Sequence, residues 1–502
     1  MAQNMRDWLA MRADVTPRDC ALSNGKIQQS FSEVNERIET VAGKLAATGV
    51  GVGDSVVVQL NTSVEFFELV HAIQRLGAIL VPLSTRLTVS EVSSRLDKID
   101  TTTVITATGK SSLAKAFTRL QIDHATLLTL DQGQEFGSPL TSISPCAFNL
   151  PEWEKDDPMI IMFTSGTTGE SKGVVLTFGN VLASATASAF RLELTESDVW
   201  HVCLPMYHMG GLAPIYRSVL YGTTVSIQEG ADPETTLDQL AEQNATCISL
   251  VPTMLERLLE ISAKNEIRPL QELRFVLLGG APCPIELLQR AHSCNIPVST
   301  TYGMTEAASQ ICTARPEETE QQPGTVGSPL MFANVSILDE SDTPCQPNEE
   351  GEIVVSGPMI SPGYLDQATT KMAFDTHGLR TGDLGYRDEN GHLWIIGRVS
   401  DRIITGGENV DPEEVIDVLR SHPSVSDAAV LGVPDPDWGE AVAALIESED
   451  NLTVESVKKH CRSELAGFKV PSIISFIDTL PRTASGTIDR TAVKELLHPE
   501  DV

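Results

Sequence analysis

The chain has 502 residues, a formal net charge of −32 at pH 7, and 41% hydrophobic residues. This length exceeds what one hydrophobic core supports, so we expect two or more domains. The acidic excess argues against nucleic acid and anionic membranes as partners, because a surface that binds phosphates needs an excess of lysine and arginine. A nucleotide in a locally basic pocket remains compatible with this charge.

The sequence contains no apolar stretch of 18 or more residues, and its first residues lack the apolar core of a secretory signal. We therefore expect a soluble, cytoplasmic protein without a membrane span.

The nine cysteines are scattered and never form Cys-x-x-Cys, which predicts reduced thiols and neither a disulfide framework nor a zinc site. The acidic composition is also typical of proteins kept soluble in high salt, and ordinary bacterial acidity is the alternative.

Helical and extended patterns alternate along the first 300 residues, which predicts an α/β architecture. The motifs at 279–282 and 301–306 are expected just beyond strand ends, where open α/β sheets bind ligands. The predicted helices and apolar runs are 31–47 (helix), 55–60 (strand), 64–76 (helix), 78–83 (strand), and later strands at 247–251, 275–278 and 297–299.

From about residue 324 the pattern becomes β-like, with apolar runs interrupted by Gly and Asp-Glu-Asn-Gly turns. We predict a large N-terminal domain over 1–396, made of two βα subdomains and a β-rich portion. A small mobile α+β domain over 397–502 should follow it, with a hinge at about 397–402.

The segment Thr164–Gly173 contains three glycines, five hydroxyl side chains and one lysine between two apolar runs. We call it the phosphate loop. Glycines let backbone N–H groups turn toward an anion, hydroxyls add donors, and Lys172 adds a positive charge. Neither Gly-x4-Gly-Lys nor Gly-x-Gly-x-x-Gly is present. An ordinary polar surface loop has the same composition, so the decision depends on other motifs.

Four further motifs follow the phosphate loop in a fixed order. This ordered set resembles the adenylate-forming superfamily of acyl-CoA synthetases, luciferases and peptide-synthetase adenylation domains. The resemblance implies that a carboxylate attacks the α-phosphorus of ATP to give an acyl-adenylate, after which the thiol of CoA displaces AMP, with Mg²⁺ as cofactor. The four motifs are Leu204-Pro205-Met206-Tyr207-His208, Tyr302-Gly303-Met304-Thr305-Glu306, Thr381-Gly382-Asp383, and 397–402 leading to Gly406-Gly407-Glu408-Asn409.

The resemblance also implies roles for individual residues. The phosphates of ATP would be bound by residues of the phosphate loop, namely Thr164, Ser165, Gly166, Thr167, Thr168, Gly169 and Lys172, and the α-phosphate by Thr305. Asp383 and Arg398 would bind the ribose. Adenine would lie among Gly280, Ala281, Pro282, Tyr302 and Gly303. Glu306, with Thr164, would ligate Mg²⁺. The acyl substrate would meet His208, Gly211, Arg217 and Gly303. Ser400 falls on the pivot, and Gly406 and Gly407 would admit the pantetheine arm of CoA.

Within the superfamily, the segments at 8–13, 71–88 and 204–222 are similar to ligases that join o-succinylbenzoate to CoA in menaquinone biosynthesis. A second carboxylate on such a substrate needs a cation, and Arg217 is a candidate. Another aryl- or fatty-acyl-CoA ligase is an alternative, as is a peptide-synthetase-type domain with a carrier-protein partner. A homo-oligomer is left open.

Four of these residues have ordinary structural interpretations as well. Asp383 fits a turn acid, and Glu306 fits an acid at a helix N-terminus. His208 fits a core histidine, and Arg217 fits an arginine on a solvent-facing helix surface.

Glu170-Ser171 in the phosphate loop replaces the usual Lys-Pro of the superfamily, a peripheral change, and one further position departs from the pattern at a central place. The run Leu480–Arg490 matches its last motif, but Thr487 stands where the resemblance implies a lysine that neutralises the α-phosphate and the attacking carboxylate. Three interpretations remain: another cation substitutes, adenylation is slow while thioester formation is intact, or the chain binds nucleotide or adenylate without turnover.

Overall fold

The computed structural model of the chain describes residues 5, 7–108, 111–120, 125–130, 138–164, 171–265, 269–281, 283–339, 341–398, 403–410, 412–448, 452–481, 488 and 490–497. Several helices begin at a residue whose side chain caps their first backbone amides. In α2, for example, Ser30 and Glu33 cap each other's backbone amides. Within these residues the helices are α1 Trp8–Val15, α2 Phe31–Ala47, α3 Val64–Arg75, α4 Val89–Leu96, α5 Ser112–Leu120, α6 Phe178–Leu192, α7 Met209–Tyr221, α8 Pro233–Glu242, α9 Pro252–Asn265, α10 Ile285–Ser293, α11 Pro316–Gln321, α12 Gln367–Ala373, α13 Pro412–Arg420, α14 Val454–Glu464 and α15 Arg490–Leu496.

The strands alternate with these helices up to residue 304, as the sequence predicts. They are β1 Cys20–Ser23, β2 Gln28–Ser30, β3 Ser55–Gln59, β4 Ile79–Pro82, β5 Thr101–Thr106, β6 Thr126–Thr129, β7 Ser138–Pro139, β8 Pro158–Thr164, β9 Lys172–Thr177, β10 Val199–Val202, β11 Thr224–Ile227, β12 Cys247–Leu250, β13 Phe275–Leu278, β14 Val298–Met304, β15 Ser309–Thr313, β16 Ser328–Pro329, β17 Asn334–Leu338, β18 Gly351–Ser356, β19 Gly363–Tyr364, β20 Leu379–Arg387, β21 Leu393–Arg398, β22 Ile403–Thr405, β23 Glu408–Val410, β24 Val425–Asp435, β25 Gly439–Ser448 and β26 Ile473–Ile477.

Two large sheets form the N-terminal part of the described chain. One has nine strands in the order β16-β15-β14-β13-β12-β10-β11-β1-β2, and the other has eight in the order β19-β9-β8-β4-β3-β5-β6-β7. Their central pairs are parallel, which requires helical crossovers that cover the sheet faces. The largest buried cluster includes Trp8, Phe66, Phe178 and Tyr216, which come from helices α1, α3, α6 and α7.

Two smaller sheets complete the fold as described. The order β17-β18-β20-β21 is antiparallel and forms the β-rich portion, whereas β23-β22-β25-β24 with β26 forms the C-terminal sheet. Helices α13 and α14 contribute to one apolar cluster of the C-terminal sheet, and α15 contributes to another. The predicted α/β class, with a large N-terminal and a small C-terminal domain, is therefore confirmed. The predicted hinge falls largely on residues 399–402, which lie outside the described residues, so the boundary near 397 stays a prediction.

The strand predicted at 297–299 is too short. Strand β14 continues through Tyr302 to Met304 and pairs antiparallel with β15, so four of the six residues of the 301–306 motif lie within a strand. The prediction ended at residue 299 because the next two strand residues, Thr300 and Thr301, are polar and interrupt the apolar pattern. Their hydroxyls are satisfied internally: Thr300 Oγ1 donates to the Thr325 carbonyl at 2.6 Å, and Thr301 Oγ1 donates to the Cys312 carbonyl at 2.9 Å.

No described helix is long and apolar enough to cross a membrane. The nine cysteines, all of them in the part of the chain that is described, are free thiols.

Two buried histidines predict a loss of stability in mild acid. Burial lowers the pKa of both His71 and His201 to about 4, whereas an unfolded histidine titrates near 6.5. Below pH 6.5 the unfolded chain therefore binds protons that the folded chain does not, and stability falls with falling pH until about pH 4. Between pH 7 and 5 we expect each histidine to remove about 2 kcal/mol from the free energy of unfolding.

Urea unfolding of His201→Gln at several pH values measures the His201 contribution. The amide of glutamine can still reach Ser226 and Gln228, the hydrogen-bond partners of His201, but it does not titrate. The variant should lose less stability than the parent between pH 7 and 5. His377→Gln, at an exposed histidine, is the matched control. Equal pH dependence in parent and His201→Gln would contradict the prediction.

Candidate functional site

A cleft of about 1850 Å³ brings most of the predicted site residues together. The N-terminal sheets supply one wall, and residues of the C-terminal sheet, including Gly406, Gly407 and Trp438, supply the other. The predicted residues that line it are Thr164, Lys172, His208, Gly211, Arg217, Gly280, Ala281, Tyr302, Gly303, Thr305, Glu306, Asp383, Gly406 and Gly407.

The remaining predictions fall where the structure gives no side-chain position. Ser165, Gly166, Thr167, Thr168 and Gly169 of the phosphate loop lie outside the described residues, as do Pro282, Ser400 and Thr487. Arg398 is described only by its backbone, which pairs with Asp383 across β20 and β21. The phosphate loop itself joins the antiparallel strands β8 and β9, which pair up to Thr164 and Lys172.

Asp383 is a buried carboxylate within a strand. It lies in β20 with 4% of its surface exposed, and Oδ2 accepts a hydrogen bond from the Tyr302 hydroxyl at 2.6 Å. Its interpretation as a turn acid is therefore wrong. The bond joins β14 to β20, so a planar ring and a carboxylate acceptor stand side by side in the cleft.

Glu306 is held by a tyrosine that the sequence analysis did not identify. Its Oε1 accepts a hydrogen bond from the Tyr364 hydroxyl at 2.8 Å, and the ring of Tyr364 lies 5.8 Å from Lys172 Nζ. Among the described residues, no group donates to Glu306 Oε2. The acid does stand in the first turn of a helix, but that helix is a single 3-10 turn over Thr305–Ala307. Such a short turn has little dipole for the charge to complement.

His208 precedes α7 and faces the C-terminal sheet. Its Nε2 lies 3.0 Å from Glu408 Oε2, and 45% of its side chain is exposed, so the core-histidine interpretation is wrong. Arg86 Nη1 lies 3.3 Å from the other oxygen of Glu408. Burial acts to raise the pKa of Glu408, but His208, Arg86 and Lys469 outweigh it and the pKa is lowered. A charged carboxylate of one domain therefore contacts two basic groups of the other.

Arg217 is buried in the cleft wall. Only 2% of its surface is exposed, so its interpretation as a solvent-facing arginine is wrong. Its Nη2 donates to Ser184 Oγ at 3.3 Å, and no carboxylate of the described residues forms an ion pair with it. Burial lowers the pKa of Arg217, and Tyr221 acts against this shift. A guanidinium removed from water without a counter-ion is costly, and no carboxylate of the described residues offsets this cost at Arg217.

Glycine is required where α7 and β14 approach other backbone. A Cβ on Gly211 would clash with the carbonyl oxygens of Leu204 and Pro205, and one on Gly303 would clash with the carbonyl oxygen of Ser309. Both glycines line the cleft, so a larger residue at either position would displace the backbone of the cleft wall.

The sequence analysis also missed a contact at the cleft mouth. Arg257 of α9 donates to the Asp437 carbonyl at 2.8 Å, and its guanidinium lies 5.7 Å from the ring centre of Trp438. Gly406 and Gly407, in the turn between β22 and β23, have φ of +57° and +77°, and a Cβ on Gly407 would lie 3.3 Å from the Val251 side chain. Sequence spacing gave no signal for these partners, because each pair joins distant parts of the chain.

Family comparisons agree with this geometry. A family model described as "AMP-binding enzyme" matches residues 9–365, and one described as "AMP-binding enzyme C-terminal domain" matches residues 414–487. A 2-succinylbenzoate–CoA ligase of Bacillus licheniformis is 36% identical over 496 residues, which cover 98% of this chain and 99% of that protein.

Two solved structures of o-succinylbenzoate CoA synthetase from Bacillus subtilis are similar as well. A double mutant bound with a product analogue has a TM-score of 0.91, and a complex with the acyl-adenylate intermediate has a TM-score of 0.75. Both are 34% identical to this chain and cover 98% of it, the first matching over 99% and the second over 98% of its own length. At nearly equal identity and coverage, this chain superposes more closely on the first structure than on the second. The carboxylates, the tyrosines and the phosphate hairpin thus share one cleft in a chain matched over both domains, and the chain belongs to the AMP-binding enzyme family.

Proposed function

We propose that the chain is an ATP-dependent acid–CoA ligase whose substrate is 2-succinylbenzoate, a step of menaquinone biosynthesis. The single observation that carries the substrate is Arg217, a buried guanidinium in the cleft wall without a carboxylate partner among the described residues. A monocarboxylate would leave this charge uncompensated once its only acidic group is activated. A dicarboxylate supplies both the reacting group and the missing counter-ion.

In the first half-reaction, a carboxylate oxygen of the substrate attacks the α-phosphorus of ATP and pyrophosphate leaves. Lys172, at the start of β9, would bind the departing phosphates. Asp383 can accept hydrogen bonds from ribose hydroxyls, and the Tyr302 ring beside it offers a stacking surface for adenine. The contribution of these groups is positioning and electrostatic stabilisation.

The residues around Glu306 fit a Mg²⁺ ion. A hard cation prefers carboxylate and hydroxyl oxygens, and Glu306 presents one oxygen that no described group binds, with Thr164 lining the same cleft. When bound, Mg²⁺ neutralises phosphate charge. The Tyr364 hydroxyl fixes the orientation of the Glu306 carboxylate for this purpose.

In the second half-reaction, the sulfur of CoA attacks the acyl carbon and AMP leaves. The contact between His208 and Glu408 and the close approach of Gly407 to Val251 belong to this arrangement of the domains, which we infer is close to that of the product-analogue complex. We propose that the swivel between the arrangements occurs at 397–402, with Ser400 as pivot. Because ATP and CoA are cytoplasmic co-substrates, we place the reaction in the cytoplasm.

A panel of acids with ATP, Mg²⁺ and CoA tests the proposal. The panel contains 2-succinylbenzoate and its two monocarboxylate analogues, 2-butanoylbenzoate and 4-oxo-4-phenylbutanoate, together with benzoate and a medium-chain fatty acid. Mass spectrometry of the products should show the CoA thioester of 2-succinylbenzoate as the preferred product. Preference for a monocarboxylate would overturn the substrate, and transfer only to a carrier protein would support the peptide-synthetase alternative.

A further inference from the structure

A buried group of four charges spans the seam between the two domains. Lys469, which follows β25 and α14 in the C-terminal domain, lies 2.8 Å from Glu91 Oε1 and 2.7 Å from Glu414 Oε1. Glu91 and Arg95 stand on α4 of the N-terminal domain, and Glu414 stands on α13 of the C-terminal domain. The Lys469 side chain is only 4% exposed.

The charges in this group balance within each domain as well as across the seam. Glu91 and Arg95 cancel on the N-terminal side, and Glu414 and Lys469 cancel on the C-terminal side. When the domains meet, the four form a neutral cluster in which Lys469 binds a carboxylate from each side. Neutrality matters because an unpaired buried charge is strongly destabilising, whereas the same charge in water is not.

The neighbouring contacts link this cluster to the active cleft. Lys469 and Arg95 line the cleft, and Lys469 is one of the charges that lower the pKa of Glu408, the partner of His208. At the outer edge of the seam, Ser90 Oγ donates to Glu464 Oε2 at 3.0 Å. Because its members come from both domains, separating the domains would divide the cluster.

We propose that Lys469 is a positioning residue for the thioester-forming step, and that the neutral cluster it forms with Glu91, Arg95 and Glu414 selects the closed arrangement of the domains. The proposal rests on the proposed function for the identity of that step. The cluster's effect on domain arrangement can be measured without any substrate.

The charge balance predicts that two single substitutions each destabilise the contact between the domains, and that combining them restores it. Lys469→Met leaves the closed seam with a net charge of −1, and Glu91→Gln leaves it at +1, but the double variant returns it to zero. Glutamine at 91 can still accept from the Thr88 amide, as Glu91 does, so the cap of α4 is retained. The second substitution should therefore rescue the first.

The rate of chemical cross-linking measures how much of the protein has its two domains in contact at the seam, which is the closed arrangement. In a background with Ser90→Cys and Glu464→Cys, a short bismaleimide should join the two positions quickly when the seam is closed, as read by mass spectrometry of the linked peptides. We expect each single variant to reduce the cross-linking rate about tenfold or more, since truncating one partner of a buried charge pair costs more than 1.4 kcal/mol. The double variant should stay within about threefold of the parent, since its closed seam is again neutral.

Two controls accompany this measurement. Proteins with only one of the two new cysteines report the background from the native thiols. Lys459→Met removes an exposed charge from the same domain and should cross-link like the parent.

Kinetics give the second readout. Thioester formation from preformed acyl-adenylate and CoA should fall about tenfold in both single variants and recover in the double variant, while pyrophosphate release changes less than about twofold. Unchanged cross-linking in the single variants would overturn the proposal, and so would a double variant that closes more slowly than both. If the parent forms no thioester with any acid, the proposed function fails, and the cross-linking result still decides the role of the cluster.

Discussion

Thr487→Lys is expected to raise the rate of pyrophosphate release in the presence of 2-succinylbenzoate and ATP by about 10²–10³-fold, because one preorganised donor at a developing charge has an effect of this size. Thr487 lies outside the described residues and stands at the lysine position of the last motif of the chain. A lysine there could neutralise the α-phosphate and the attacking carboxylate together. The threonine hydroxyl is uncharged and ends close to the backbone.

The measurement separates the two half-reactions. Pyrophosphate exchange reports adenylation, and thioester formation from preformed acyl-adenylate reports the second step, which should change little in Thr487→Lys. Thr487→Met is the matched control, since methionine has similar length without charge. If Thr487→Met raised the rate of pyrophosphate exchange as much as Thr487→Lys does, the electrostatic explanation would be contradicted.

Lys494 is the described residue that best fits the substitute-cation interpretation. It lies on α15, is exposed, lines the cleft, and has no ion-pair partner among the described residues. If Lys494 replaces the absent lysine, Lys494→Met should abolish pyrophosphate exchange in the parent, and Thr487→Lys should restore it. If Lys494→Met leaves exchange unchanged and Thr487→Lys raises it, slow adenylation is the correct interpretation. If the parent and all variants bind ATP without exchange or thioester formation, the chain is a non-catalytic module.

The sequence predicted the architecture because its local signals agree with the tertiary structure. Helix α2 begins and ends at the predicted residues, since a capping box at Ser30 and Glu33 precedes an amphipathic stretch. The phosphate loop was expected between two strands, and β8 and β9 form that hairpin. In each case the residues that determine the structure are close together in the sequence, so a local pattern is enough to predict it.

The contacts within the site were harder to predict because they join distant segments. Tyr302 and Asp383 are 81 residues apart, Glu306 and Tyr364 are 58 apart, and His208 and Glu408 are 200 apart. Tyr364 carries no motif, so only the pairing of β19 with β9 reveals its role. Periodicity also gave no reason to bury Arg217, because an arginine on an amphipathic helix is usually on the exposed face.

The burial of Arg217 leads to the second large effect. Arg217→Leu is expected to reduce kcat/KM for 2-succinylbenzoate by about 30-fold to a few thousandfold, the range for removing one partner of a buried, hydrogen-bonded charge pair. The guanidinium would bind the carboxylate that does not react, so its contribution is similar in the ground and transition states. Most of the loss should therefore appear as a higher KM.

The monocarboxylate analogues provide the matched control for this loss. An analogue that keeps the reacting carboxylate has nothing for Arg217 to bind, so its kcat/KM should be the same or higher in Arg217→Leu, in which the uncompensated charge is gone. Arg217→Lys keeps the charge but lacks the planar fork, and should lie between the parent and Arg217→Leu. An equal loss for mono- and dicarboxylates in Arg217→Leu would mean that Arg217 supports α7 and Ser184 and does not bind substrate. The ratio between the two substrates distinguishes recognition from packing, because a damaged helix would affect both acids equally.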